Sequence, residues 1–159
     1  MRRQNFQGFT LVEILIVVVI MAVLAAVVVP QFSGSTDDAK RSTAQFNLGT
    51  IRSVVQTYRA HHDGKKPAFA SGATTIEGLI KETNAAGVVT AGGGFGPYLV
   101  AMPENPFTGV ATVKAVATPG TAPVAADVTA GDAGGWIYDV STGNVWLDSN
   151  TQTPGEFSW

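Results

Sequence analysis

Phe9-Thr10-Leu11-Val12-Glu13-Ile14-Leu15-Ile16-Val17-Val18-Val19-Ile20-Met21-Ala22-Val23-Leu24-Ala25-Ala26-Val27-Val28-Val29 is a run of twenty-one residues that is apolar almost throughout. Wound as a helix at 1.5 Å per residue it measures about 31 Å, the thickness of a hydrocarbon core of roughly 30 Å. Its valines would favour a strand in water. In lipid, however, every backbone N–H and C=O must be satisfied within the segment, so the helix prevails. The run carries one carboxylate, Glu13. Fourteen Leu, Ile and Val residues between Leu11 and Val29 contribute roughly −0.3 to −0.6 kcal/mol each to insertion, against about 2.5 to 3.5 kcal/mol for a central acid. The segment therefore inserts despite Glu13. An ionisable group within such a segment usually has a partner and a task, which makes Glu13 the first candidate functional residue; the plainer reading is an acid at the membrane edge.

The flanks set the topology. Arg2 and Arg3 precede the run without a neighbouring acid, so the positive-inside bias keeps the N-terminus cytoplasmic and sends the remainder outward. A secretory signal shares the basic start, but its apolar stretch is 7 to 15 residues and ends in small residues. Here the run is longer and leads into Val27-Val28-Val29-Pro30-Gln31-Phe32, so the anchor is expected to be retained. Pro30 deprives the Ala26 carbonyl of its helical partner, and a kink or local melting is expected there. Beyond it, Ala44, Leu48, Ile51, Val55 and Tyr58 recur at steps of four and three, with Arg41, Arg52 and Arg59 off the stripe. This predicts a helix to about His61. Asp63-Gly64-Lys65-Lys66-Pro67 is a stop signal, and His61 and His62 are expected to fray at the helix end.

The remaining chain is rich in Gly, Ala, Thr, Val and Pro. Thr75 to Lys81 reads as a short helix capped at Thr74 or Thr75. Tyr98 to Pro103 reads as an extended piece before the turn Asn105-Pro106-Phe107-Thr108-Gly109, and Ala115 to Ala133 as a variable surface loop. Gly135-Trp136-Ile137-Tyr138 and Val145-Trp146-Leu147 flank the turn-forming Asp139-Val140-Ser141-Thr142-Gly143-Asn144, which predicts a hairpin whose aromatic face covers the helix stripe. The expected class is α+β, a long N-terminal transmembrane and stalk helix packed on a small antiparallel sheet head. Gly92-Gly93-Gly94-Phe95-Gly96-Pro97 lacks the Lys-Ser/Thr ending of a phosphate-binding loop, and no Ser-His-Asp set is recognisable.

Residues 33 to 62 carry Lys40, Arg41, Arg52 and Arg59 against Asp37 and Asp38, a net of +2; from Asp63 onward four Lys face nine acids, a net of −5. Basic stalk and acidic head are able to complement each other between neighbouring copies. The acidic head argues against nucleic acid as the main partner.

The combination of a basic leader ending in Gly8, aromatic Phe9, Glu13 four positions on, a long apolar helix and Pro30 closely resembles the start of type IV prepilins and type II secretion pseudopilins. The resemblance implies a leader peptide at residues 1–8, cleaved between Gly8 and Phe9 by a prepilin peptidase that also N-methylates Phe9. It implies a transmembrane and assembly half of the helix at 9–32, an amphipathic soluble half at 33–62 and a globular β-rich head at 63–159, with the helix running on past Pro30. Phe9, Glu13 and Pro30 would then serve filament assembly, Glu13 of an incoming copy meeting the Phe9 amine of its neighbour. The implied partners are membrane lipid before assembly, other copies in a homo-oligomeric filament, minor pseudopilins, and an inner-membrane platform with a cytoplasmic ATPase. The subunit would sit in the inner membrane with its head in the periplasm, and then in a periplasmic or surface filament.

The organisation after Pro67 is similar to major pseudopilins more than to major adhesive pilins, many of which pin the C-terminal region with a disulfide; this chain has no Cys. Major pseudopilins of that kind often bind calcium in a C-terminal loop. Asp127, Asp132, Asp139 and Asp148 are the candidate oxygen ligands, while Asp139 and Asn144 are equally readable as turn residues; no other cofactor is implied. The function implied is a non-enzymatic structural subunit of a type II secretion pseudopilus that helps export folded proteins. Two alternatives stay open: a surface type IV pilin for adhesion, motility or DNA uptake, and a membrane-anchored periplasmic enzyme or binding protein.

Overall fold

The computed structural model describes residues 8–150 together with Gly155, Ser158 and Trp159, apart from the side chains at 29–33, 35 and 132. Of the leader expected at residues 1–8, only Gly8 falls within the described residues. The chain divides into two compact units, Met1–Ala39 and Lys40–Trp159.

Helix α1 spans Leu11–His61 as one element of 51 residues. Pro30 does not end it, because proline withholds a single N–H while the sequence on either side of it remains helical. The helix stops through backbone geometry: Asp63 and Gly64 adopt positive φ (53° and 76°), and the Gly64 N–H reaches back to the Arg59 carbonyl at 2.8 Å. This six-to-one closure satisfies a carbonyl that the helix end would otherwise leave without a partner.

The second unit is built on the apolar stripe of α1. Ala44, Leu48, Ile51, Val55 and Tyr58 are all buried and share one core with Ile76, Leu79, Trp136, Tyr138, Val145 and Leu147. The stripe extends one step beyond expectation. His62 does not fray: it is fully buried, stacked on Tyr58 with ring centroids 3.9 Å apart. Its Nδ1 lies 2.8 Å from the Tyr58 carbonyl and its Nε2 2.9 Å from the Thr83 hydroxyl. A carbonyl only accepts, so Nδ1 is the donor to Tyr58. His61 stays exposed with Nδ1 3.0 Å from the Tyr98 hydroxyl.

The sheet has three strands, β1 (Val113–Ala115), β2 (Trp136–Tyr138) and β3 (Val145–Leu147), in that spatial order. The β2/β3 hairpin is as expected, pairing Trp136 with Leu147 and Tyr138 with Val145. These four side chains enter the core from one face of the sheet. The sheet is mixed, not wholly antiparallel: β1 pairs in parallel with β2, Val113 opposite Trp136. The long stretch from Val116 to Gly135 brings the chain back to the same end before β2 starts, which a tight hairpin could not do. The expected short helix contracts to one turn, α2 (Glu77–Ile80), preceded by Ile76 with no side-chain cap. Burial of Ile76 and Leu79 holds it in place.

The loop after β1 is mostly exposed but tethered at two carboxylates. Trp136 and Tyr138 satisfy their polar tips on backbone carbonyls, Trp136 Nε1 donating to Pro103 at 2.7 Å and the Tyr138 hydroxyl to Pro67 at 2.8 Å. Burial is the main cause that pushes the Tyr138 phenol far above its usual range. Among the described residues no buried side-chain nitrogen or oxygen lacks a partner.

Candidate functional site

The start of α1 is set by two side chains. Thr10 Oγ1 accepts from the Glu13 N–H at 3.2 Å, while Glu13 Oε2 accepts from the Thr10 N–H at 3.1 Å and from the Thr10 hydroxyl at 3.2 Å. This is a reciprocal capping box, Thr10 as N-cap and Glu13 at the third helical position. Gly8 and Phe9 lie just outside the helix and are exposed, Phe9 at 83%. The Gly8–Phe9 peptide bond is thus exposed, and a carboxylate stands one turn away. From Leu11 to Val28 the helix has a mean hydropathy of 3.2 and none of it is buried, so this stretch has the length and composition to cross a membrane. Pro30 falls within α1, its side chain outside the described residues.

The remaining candidate carboxylates lie in the head and have separate uses. Asp139 is buried; its Oδ1 accepts from the Ser141 N–H and hydroxyl, both at 2.7 Å, and its Oδ2 from the Gly120 N–H at 2.9 Å and the Thr142 hydroxyl at 2.7 Å. Burial acts to raise its pKa, but these hydrogen bonds outweigh it and hold the group at about 2. Asp139 also frames the turn, its N–H donating to Asn144 O at 2.9 Å. Asp148, almost wholly buried, pairs with Lys114 at 3.0 Å and accepts from the Thr129 N–H and hydroxyl. Asp127 accepts from the Val124 N–H, and the Asp132 side chain lies outside the described residues. Among the described residues no three His, Cys, Asp or Glu side chains gather as a metal site.

The family model described as Prokaryotic N-terminal methylation motif matches residues 3–29. Type II secretion system core protein G of Klebsiella pneumoniae is 30% identical over 106 residues, 65% of this chain and 71% of that relative. The chain belongs to the core protein G family. The core protein G of Pseudomonas aeruginosa is 37% identical over 82 residues, 52% of this chain and 55% of the relative. The type IV major pilin protein PilE1 of Neisseria gonorrhoeae is 36% identical over 91 residues, 54% of this chain and 42% of the relative. The chain thus spans about half the length of these two relatives. No solved structure matches it.

Within this core protein G family member, sequence reasoning singled out Glu13 and passed over Thr10, although the spacing Thr10-x-x-Glu13 ahead of an apolar run is itself a capping-box signal. It also passed over Arg52. The Arg52 guanidinium donates to the Val145 carbonyl at 3.1 and 2.8 Å and to the Trp159 carbonyl at 2.6 Å. Burial lowers its pKa from the usual value. Arg41 lies 5.6 Å from the Trp159 ring centroid, and Phe107 meets that ring edge-on. Arg52 is therefore turned into the fold, which subtracts it from the charge the stalk was expected to offer a neighbour. As a calcium site the described carboxylates fit poorly: both oxygens of Asp139 already accept two hydrogen bonds, and Asp148 is matched to Lys114.

Proposed function

We propose that this chain is a structural, non-catalytic subunit of a type II secretion pseudopilus. Residues 1–8 are removed by a prepilin peptidase, Phe9 is N-methylated, and the mature subunit waits in the inner membrane with its head in the periplasm. Residues 9–32 form the lipid-embedded assembly half, 33–62 the soluble stalk and 63–159 the head. An inner-membrane platform driven by a cytoplasmic ATPase then stacks copies into a filament, together with minor pseudopilins, that helps export folded proteins. The observation carrying this reading is a wholly exposed apolar helix with one acid, Glu13, directly after Gly8-Phe9, in a chain of the core protein G family. An apolar surface of that length needs lipid or other copies to cover it.

Cleavage creates an amine at Phe9, next to the Thr10 N–H that Glu13 already accepts from. A carboxylate and an amine in lipid are far more stable paired than apart, so Glu13 sets the register between copies in the assembled filament. The test is the mass of the N-terminal peptide from membrane-extracted protein. A peptide beginning at Phe9 with one added methyl group supports the reading, and an intact leader in cells with active peptidase overturns it. The match to a type IV major pilin favours one second reading, a surface pilus. It is separated by whether loss of the chain blocks protein export or removes surface filaments.

A further inference from the structure

The sheet has a second face, and it too is covered. Trp136, Tyr138, Val145 and Leu147 enter the core, so Ile137, between Trp136 and Tyr138, points the other way. It is nonetheless fully buried. Lys114 stands opposite Ile137 in the β1/β2 register, which places it on this second face. Asp148 follows Leu147 and continues the pairing of β3, its N–H donating to the Gly135 carbonyl at 3.0 Å. By the alternation of a strand it shares that face with Lys114. The loop after β1 reaches the same place through Thr129.

Three segments therefore meet at one carboxylate. Asp148 Oδ1 accepts from the Thr129 N–H at 2.7 Å and from Lys114 Nζ at 3.0 Å, while Oδ2 accepts from the Thr129 hydroxyl at 2.5 Å. That hydroxyl in turn accepts from Lys114 Nζ at 2.9 Å, which closes a ring of ammonium, hydroxyl and carboxylate. The Asp148 side chain is only 3% exposed and that of Lys114 34%, so the anion is sunk and the ammonium reaches it from the surface along an apolar stem. Gly134 seals the site, because a Cβ there would collide with the carboxylate. A buried carboxylate needs a matching cation, supplied by a bound metal with hard oxygen ligands or by a side chain. At Asp148 the side chain is in place and both oxygens are occupied. Among the described residues no three His, Cys, Asp or Glu side chains gather to hold a metal instead.

We infer that Lys114 is the built-in cation of the head: its ammonium takes the part of a bound divalent metal, fastening the loop after β1 across the second face of the sheet at Asp148, so that the head closes without calcium. The inference stands apart from the filament reading. A bound metal stabilises by mass action and is lost to dilution or a chelator. An ammonium tethered to β1 has a local concentration fixed by the chain, so the stability it gives does not follow the divalent cations in the surrounding medium.

The experiment is thermal unfolding of the full chain in detergent, once with EDTA and once with millimolar calcium chloride, for the parent, Lys114→Met and the double variant Lys114→Met/Asp148→Asn. The parent should melt within about 2 °C in the two solutions. Lys114→Met keeps most of the stem but leaves a buried carboxylate unmatched, so with EDTA its Tm should fall by about 10 °C or more. The double variant has no buried charge to match and should regain roughly half of that loss or more. Lys114→Met melting within about 2 °C of the parent, or a double variant no more stable than Lys114→Met, overturns the charge match. A parent whose Tm falls in EDTA relative to calcium by about 5 °C or more holds a divalent cation and overturns the inference. Where Lys114→Met does not fold, the double variant decides: folded, it upholds the charge match, and unfolded, it overturns it.

Discussion

Replacing Asp139 with Asn removes the charge that organises the β2/β3 turn while keeping its shape. Four donors converge on the carboxylate, from Ser141 twice, Thr142 and Gly120, and they hold its pKa at about 2 against an ordinary value of 3.8. At about 1.4 kcal/mol for each factor of ten, this depression is equivalent to about 2.4 kcal/mol of stability at neutral pH. A depressed pKa in the folded state contributes fully above about pH 4 and is lost as pH falls from about 4 towards 2. Asp139→Asn should therefore be less stable at pH 7 by about 2 kcal/mol, a fall of about 8 °C in Tm for a unit of this size. Below pH 2 the two proteins should converge. The assay is thermal unfolding of the full chain in detergent, followed by the fluorescence of the buried Trp136 and half-buried Trp146. A variant melting within about 2 °C of the parent at pH 7, or falling as steeply as the parent between pH 4 and 2, would refute the reasoning.

Arg52→Met removes the hydrogen bonds to Val145 and Trp159 but keeps the aliphatic stem. A loss of about 2 kcal/mol is expected in chemical denaturation, and an unchanged midpoint would show the clamp to be idle. Gly134→Ala places a methyl group into the Asp148 carboxylate. It should destabilise by about 1 to 3 kcal/mol, whereas Gly49→Ala, which meets nothing, should gain up to about 1 kcal/mol of helix propensity; the same melts compare them. Glu13→Ala should leave membrane insertion intact in carbonate extraction and abolish filament assembly. Normal filaments would remove Glu13 from the assembly mechanism.

Much of the architecture was legible because its signals are local. The stripe from Ala44 to Tyr58, the helix end near His61 and the two strands flanking Asp139 to Asn144 each follow from periodicity or turn chemistry, and all appear in the fold. Strand β1 was not legible: Val113–Ala115 is three residues long, and only its pairing with Trp136–Tyr138, distant in sequence, makes it a strand. His62 was misread for a related reason. Adjacent histidines at a helix end look like solvated residues until Tyr58 and Thr83 are seen to enclose one of them.

The candidate site divides in the same way. Thr10 and Glu13 cap each other over a single helical turn, so their geometry is contained in their spacing. The roles of Arg52 and Asp148 depend on partners 19 to 107 positions away, while Asp139 adds one such partner, Gly120, to the local Ser141 and Thr142 donors of its turn; composition alone left Asp139 and Asp148 open as calcium ligands and Arg52 as surface charge. Sequence by itself determined what is set by short-range rules: a segment able to span a membrane, its capped start, the amphipathic stripe and the hairpin. Only the tertiary structure decided which charges are committed inside the head. The physical reason is that burial and long-range hydrogen bonding are properties of the closed fold, acquired when distant segments exclude water together.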